Sequence, residues 1–172
     1  SYPYNANSTF ALHPMFLRLE QMGILADAER RTYYATERRR LNALPQIDYE
    51  AVNNIKNAYT RELFAQEGAK TVKSADFKAF VKKNKSWLTP YAAFCTLRDI
   101  HHTAEMDRWG DMAVYDEKRV EEFIAAHTDE INYVYYLQYH LDKQLREVRD
   151  YAHSRGVAIK GDIPIGISRN SV

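Results

Sequence analysis

The feature that most constrains this chain is a single long apolar stripe near its C-terminal end. From about Asp129 to Ser154, the residues Val134, Leu137, Leu141, Leu145, Val148 and Ala152 recur at three- and four-residue spacing, which places them on one face of one long helix. Gly156 follows as a helix stop. Directly after it the pattern shortens and becomes β-branched, Val157-Ala158-Ile159-Lys160-Gly161-Asp162-Ile163, which predicts a strand. A helix, a glycine and then a buried strand form the αβ half of a βαβ unit. A lone strand needs neighbours for its backbone groups, so the chain is expected to stop where an α/β sheet continues. In isolation, residues 159–167 are expected to be disordered, extended on the surface or paired with another copy.

Upstream the signals are helical. The opening residues 1–13 are rich in turn formers and predict an ordered loop. Pro14 at a first helical position predicts a short helix from Met15 to Met22, ended by Gly23. Asp27 caps a charged helix to about Arg40, stopped at Leu44-Pro45, and Asp48 opens another that ends before Gly68. Ser74 caps a short helix through Phe77, Phe80 and Val81, and Thr89-Pro90 reads as the cap and first turn of a separate helix from Tyr91 to about His101. The segment from His102 to Tyr115, with Trp109-Gly110-Asp111, reads as a connection before a helix from Asp116 through Ile124.

Composition narrows the function classes. The 172 residues suit one domain with a real core but fall short of the roughly 250 that a complete (β/α)8 barrel uses. With 24 Lys and Arg against 23 Asp and Glu, the net charge of +1 offers no field for nucleic acid or an anionic membrane. No apolar run approaches a membrane span, and no leader pattern opens the chain. The one cysteine, Cys95, sits on an apolar helix face and fits a reducing, cytoplasmic setting. Thirteen tyrosines stand out. A tyrosine offers a flat apolar face and a hydroxyl to a sugar ring, although it serves ordinary cores equally well.

Other clusters carry little chemistry. His101 and His102 point to different sides of a helix, and His127, His140 and His153 lack carboxylates or cysteines at ligand spacing, so no metal site is expected. Arg30-Arg31 and Arg38-Arg39-Arg40 interleave with Asp27, Glu29 and Glu37, which favours a solvated face over RNA binding. No glycine-rich phosphate loop occurs, and no cofactor is implied.

Three stretches, in order, carry a resemblance. They are Tyr2-Pro3-Tyr4 running to Ser8-Thr9-Phe10-Ala11-Leu12-His13-Pro14; Trp87-Leu88 with Tyr91-Ala92-Ala93-Phe94 and Leu97; and Gly161-Asp162-Ile163-Pro164-Ile165-Gly166-Ile167-Ser168-Arg169-Asn170-Ser171. Together they resemble the 4-α-glucanotransferases of the amylomaltase or disproportionating-enzyme family, and the third motif is similar to the plant cytosolic subgroup. Tyr2 stands where the family commonly has serine, and Val172 precedes the family's Asp-x-Trp continuation.

The resemblance implies a mainly α chain: a helical fragment of a (β/α)8 TIM-barrel enzyme with a helical subdomain and one C-terminal barrel-type strand. Residues 1–13 would form a loop on the substrate side, 14–126 the helical subdomain, and 127–172 the long helix and barrel strand. The implied reaction moves an α-1,4-glucan segment between maltooligosaccharides, starch or glycogen by a retaining double displacement, which needs two carboxyl groups about 5 Å apart. The family's nucleophile and acid/base come from later strands, so no catalytic residue is expected here and the fragment by itself is expected to be inactive. Two substrate contacts carry over: Tyr4, lining the sugar subsite beside the scissile bond, and Asp162, holding sugar hydroxyls at a strand end. A loop-anchoring tyrosine and a turn-capping aspartate are the plain alternatives. The competing functional reading is a non-catalytic helical module that binds glucan or another protein, and oligomeric state stays open.

Overall fold

The computed structural model describes residues 5–161, 166–168 and 170–172. Five helices dominate: α1 (Ala28–Asn42), α2 (Tyr49–Thr71), α3 (Ala75–His101), α4 (Glu117–Ala126) and α5 (Thr128–Ser154). Two short strands, β1 (Asn5–Ala6) and β2 (Gly166–Ile167), pair in parallel, Asn5 opposite Gly166 and Ala6 opposite Ile167. All five helices therefore lie in one crossover between neighbouring parallel strands.

The helix starts follow from local chemistry. Asp27 accepts from the Glu29 and Arg30 N–H groups, Asp48 from Ala51, Ser74 from Phe77 and Asp116 from Arg119, each satisfying donors that the first turn leaves free. Gly156, at φ 73°, ends α5. There the Val157 N–H reaches the Ala152 carbonyl at 2.9 Å and the Gly156 N–H reaches His153 at 3.0 Å, the paired bonds of a left-handed cap.

Four expectations are corrected by tertiary packing. Residues 14–22 form two 3-10 turns, Pro14–Phe16 and Leu19–Gln21, in place of one helix. Lys56 fixes this geometry by donating to the Met15 and Leu17 carbonyls, which withholds those oxygens from a continuous helix. Helix α2 runs through Gly68, where an added Cβ would come within 2.5 Å of the Phe64 ring. The glycine makes room for that ring, which lies against Tyr133 and Tyr136. Helix α3 does not break at Pro90. The proline costs a backbone hydrogen bond, but Leu88, Ala92 and Ala93 beside it are all buried, so packing carries the helix past it. Finally, residues 157–161 form no strand, and Val157 and Ile159 are exposed, while Asp162 and Ile163 of the expected strand lie outside the described residues; among the described residues the strand pairing is at Gly166 and Ile167, where β1 supplies a partner.

The main core lies between α2, α3 and α5, centred on Leu63, Leu88 and Tyr136, each at most 0% exposed. Burying a leucine that fully contributes about 1.5–3 kcal/mol. A smaller cluster of Phe94, Cys95, Leu97 and Trp109 closes the far end of α3. Trp109 is anchored by its indole N–H on the Thr103 carbonyl at 3.0 Å, which gives the connection after α3 a core residue. The apolar stripe of α5 divides in two: Leu137 and Leu141 are buried, whereas Leu145 and Val148 are 49% and 57% exposed.

Candidate functional site

The tyrosines resolve largely into packing. Tyr133 donates to Asn57 at 2.8 Å and shares a bond with Thr60, Tyr136 donates to Glu67 at 3.1 Å, and Tyr59 donates to the Gly23 carbonyl at 2.8 Å. Burial pushes the Tyr133, Tyr135 and Tyr136 hydroxyls above their ordinary range, and the Glu67 carboxylate adds to the shift at Tyr136. Such groups hold protons at neutral pH and act as donors inside the helical layer. The Tyr34 hydroxyl, between Arg30 and Glu62, is pushed up to about 12, by burial first and Glu62 second.

The segment after β1 is held unusually firmly. The Leu12 N–H donates to Gln138 Oε1 at 3.0 Å, and Gln138 Nε2 donates back to the Leu12 carbonyl at 2.8 Å. Gln144 repeats this two-way grip on Arg18, at 2.8 and 2.9 Å. His13 accepts from the Met15 N–H through Nδ1 at 3.2 Å, and burial together with the Arg98 charge lowers its pKa, so it serves as a neutral acceptor. Two glutamines on α5 thus act as a sheet edge would, satisfying the backbone of an irregular strand. Sequence reading passed over both, because a glutamine beside an apolar stripe gives no sign of which distant backbone it binds.

This clamped segment brings the three sequence motifs together. Phe10 of the first stacks on Trp87 of the second, with ring centroids 6.0 Å apart and planes within 19°. The first meets the third through the β1–β2 pair and through the Val172 N–H, which donates to the Asn7 carbonyl at 2.8 Å. Tyr4 and Asp162, the two expected sugar contacts, lie outside the described residues. The described residue after Tyr4 is the first of β1, and Gly161 before Asp162 is exposed.

A groove of about 220 Å³ opens beside this junction, lined by Phe10, Leu12, Phe80, Asn84, Trp87, Gln138, Asp142 and Leu145. Its polar groups are already engaged. Asn84 accepts from the Trp87 indole at 3.1 Å and donates to the Phe80 carbonyl, Gln138 holds Leu12, and Asp142 pairs with Arg146 at 2.8 Å. Among the described residues Asp142 is the one carboxylate of the lining, whereas glycosidic-bond cleavage requires two carboxyl groups. Among the described residues no cluster of three His, Cys, Asp or Glu side chains is placed to hold a metal ion, and no helix is long and apolar enough to cross a membrane.

The whole sequence, residues 1–172, matches the profile of glycoside hydrolase family 77, described as 4-alpha-glucanotransferase. The chain belongs to that family. It is 38% identical over its full length to the 4-alpha-glucanotransferase DPE2 of Oryza sativa subsp. japonica, of which it spans 18%. It is 32% identical to the 4-alpha-glucanotransferase of Chlamydia muridarum, with 99% of this chain and 32% of that protein aligned. The solved structure of an amylomaltase from Streptococcus agalactiae in complex with acarbose superposes with a TM-score of 0.74 at 19% identity, covering 99% of this chain and 34% of that one. The chain therefore has the fold of the corresponding third of that amylomaltase, mainly helical with a short parallel strand pair. It spans about a fifth to a third of the length of these relatives.

Proposed function

We propose that the parent polypeptide transfers α-1,4-glucan segments from one maltooligosaccharide to another, and that this chain builds one wall of the donor side of its cleft. The observation that carries the reading is the match along all 172 residues to glucanotransferases, with the three motifs gathered around one clamped segment. In this reading β1 and β2 are neighbouring strands of a (β/α)8 barrel, and α1 to α5 form the helical subdomain inserted between them. Tyr4 presents an aromatic face and hydroxyl to the sugar beside the scissile bond. Asp162 accepts hydrogen bonds from sugar hydroxyls, which a short carboxylate does well because each charged bond is stronger than a neutral one.

The bond-breaking carboxyl groups come from the rest of the parent, which performs a retaining double displacement. One carboxylate attacks the anomeric carbon while an acid protonates the leaving oxygen; the glucosyl-enzyme is then intercepted by the 4-hydroxyl of an acceptor glucan. The chain alone, one wall without the reacting groups, does not catalyse transfer and binds glucan weakly. The enzyme acts in the cytoplasm and needs no cofactor.

The test is disproportionation of maltotriose by the full-length parent, read as glucose and longer oligomers. Asp162→Ala is expected to lower kcat/KM at least about 100-fold and Tyr4→Phe about tenfold, the losses expected when contacts at the reacting sugar are removed. Unchanged transfer in both variants would remove the two site assignments, and a parent that leaves maltotriose intact would make the chain part of a non-catalytic module.

A further inference from the structure

A second groove, of about 320 Å³, lies between α3 and α5 and shares no lining residue with the one beside Phe10. Phe77, Val81 and Tyr135 give it an apolar floor, Lys78, Lys82 and Lys85 border it along α3, and Asn132 stands on the α5 side. The three lysines are four and three residues apart, so they share one face of the helix over about 10 Å. All three are exposed, and among the described residues none pairs with a carboxylate. Lys70, Lys73 and Lys83 belong to the same stretch, residues 70–85, whose one acidic residue is Asp76, in a chain of net charge +1. On α5 the carboxylates closest in sequence to Asn132, Asp129 and Glu130, sit in the first turn and do not line the groove. Like charges four apart weaken a helix, so α3 carries a repulsion that no ion pair of the described residues offsets.

The shape and chemistry of the groove select its occupant. It is open along its length, which suits a segment laid across it better than an enclosed small molecule. Phe77 and Tyr135 are 3% and 8% exposed, and the Tyr135 hydroxyl is engaged with Thr89 at 3.2 Å, so neither ring offers the bare face on which a sugar stacks. An apolar side chain can settle against Val81 between them, and an acidic group beside it can meet each lysine. An amphipathic helix meets both demands, because its own three- and four-residue spacing repeats that of the lysines. Helix α4 of a second copy does not qualify. It carries Glu117, Glu121 and Glu122, but its Val120 is buried and its Phe123 and Ile124 pack against its own core.

We propose that this face is a docking site for an acidic amphipathic helix of a partner protein, whose apolar stripe seats over Phe77, Val81 and Tyr135 while its carboxylates pair with Lys78, Lys82 and Lys85. Binding relieves the repulsion along α3. Opposite charge steers the encounter, and the apolar contact fixes the register. The role is recruitment, separate from transfer chemistry, and it does not depend on the proposed reaction.

The experiment measures fluorescence anisotropy of a labelled peptide of about 18 residues, built from Leu, Glu and Ala with the leucines on one helical face, titrated with the full-length parent. A peptide of the same composition with the leucines scattered is the control. The amphipathic peptide is expected to bind at least about tenfold tighter than the scattered one. The triple variant Lys78→Gln, Lys82→Gln, Lys85→Gln is expected to weaken that binding at least about tenfold, while Arg39→Gln, Lys118→Gln, Arg155→Gln, which removes as much charge from exposed sites outside the groove, changes it less than about twofold. No binding, equal binding of the two peptides, or equal losses in the two triple variants overturns the proposal. Sulfated dextran that displaces the label more strongly than unlabelled peptide also overturns it, by assigning the lysines to an anionic polysaccharide. Should the groove variant fail to fold, Lys82→Gln alone decides: a loss of at least about threefold supports the site, and unchanged binding sinks it. Maltotriose disproportionation by the groove variant is expected to be unchanged, and a fall as large as the loss of binding would tie the lysines to substrate and overturn the docking role. A parent that binds the peptide yet leaves maltotriose intact would refute the proposed reaction and leave the docking site standing.

Discussion

Two glutamines on one helix make the same pair of bonds to backbone, yet they are not equivalent. Gln138 is 3% exposed and grips Leu12 from within the core, whereas Gln144 grips Arg18 at the surface. Removing a buried partner strands two backbone groups away from water, while a surface group recovers its bonds from solvent. Gln138→Leu is therefore expected to destabilise the protein by about 2–4 kcal/mol and Gln144→Leu by under about 1 kcal/mol. Chemical denaturation of both variants checks this, and equal losses would refute burial as the deciding factor. The clamp holds Leu12 of the first motif, so under the proposed function the Gln138 variant is expected to lose glucan transfer in the parent along with stability.

At the scale of an element, α2 shows how a glycine becomes necessary inside a helix. By propensity alone Gly68→Ala would stabilise α2 by about 0.5–1 kcal/mol. The new methyl, however, would meet the Phe64 ring at 2.5 Å, and that ring is fixed against Tyr133 and Tyr136 on α5. Overpacking of this kind costs about 1–3 kcal/mol, so the substitution is expected to destabilise on balance. A Gly68→Ala variant with a raised denaturation midpoint would show that the ring moves freely. Helix α3 illustrates the same competition with the opposite residue, since burial on both sides of Pro90 holds one helix across a residue that ordinarily starts one.

Across the whole molecule, His140 ties stability to pH. Its ring packs edge-on against Tyr136 and Tyr139, Nε2 has no hydrogen-bond partner among the described residues, and burial, aided by Lys143, lowers its pKa from 6.5 to about 4. The folded state thus holds the neutral ring, while the unfolded chain takes up a proton near pH 6.5. Stability from this group is complete above pH 6.5 and falls as pH drops from 6.5 to about 4, by on the order of 2–3 kcal/mol. His140→Leu is expected to flatten that part of the stability–pH curve, measured by denaturation at pH 7, 5.5 and 4. An undiminished slope would locate the effect elsewhere.

The amino-acid sequence by itself determined what is decided within a turn or two of chain. The caps at Asp27, Asp48, Ser74 and Asp116 and the stop at Gly156 bind their own nearest backbone groups, so their roles are readable from neighbours in sequence. The motifs that mark the family are likewise strings of adjacent residues. Tertiary structure alone decided the continuity of α2 and α3, the glutamine grip on Leu12 and Arg18, and the pairing of β2 with a strand at the opposite end of the chain. Each of these depends on a partner supplied by another element, and local pattern holds no record of which distant group will arrive. The half-bare stripe of α5 has the same origin: periodicity states that a face is apolar, but only the assembled neighbours state what lies against it.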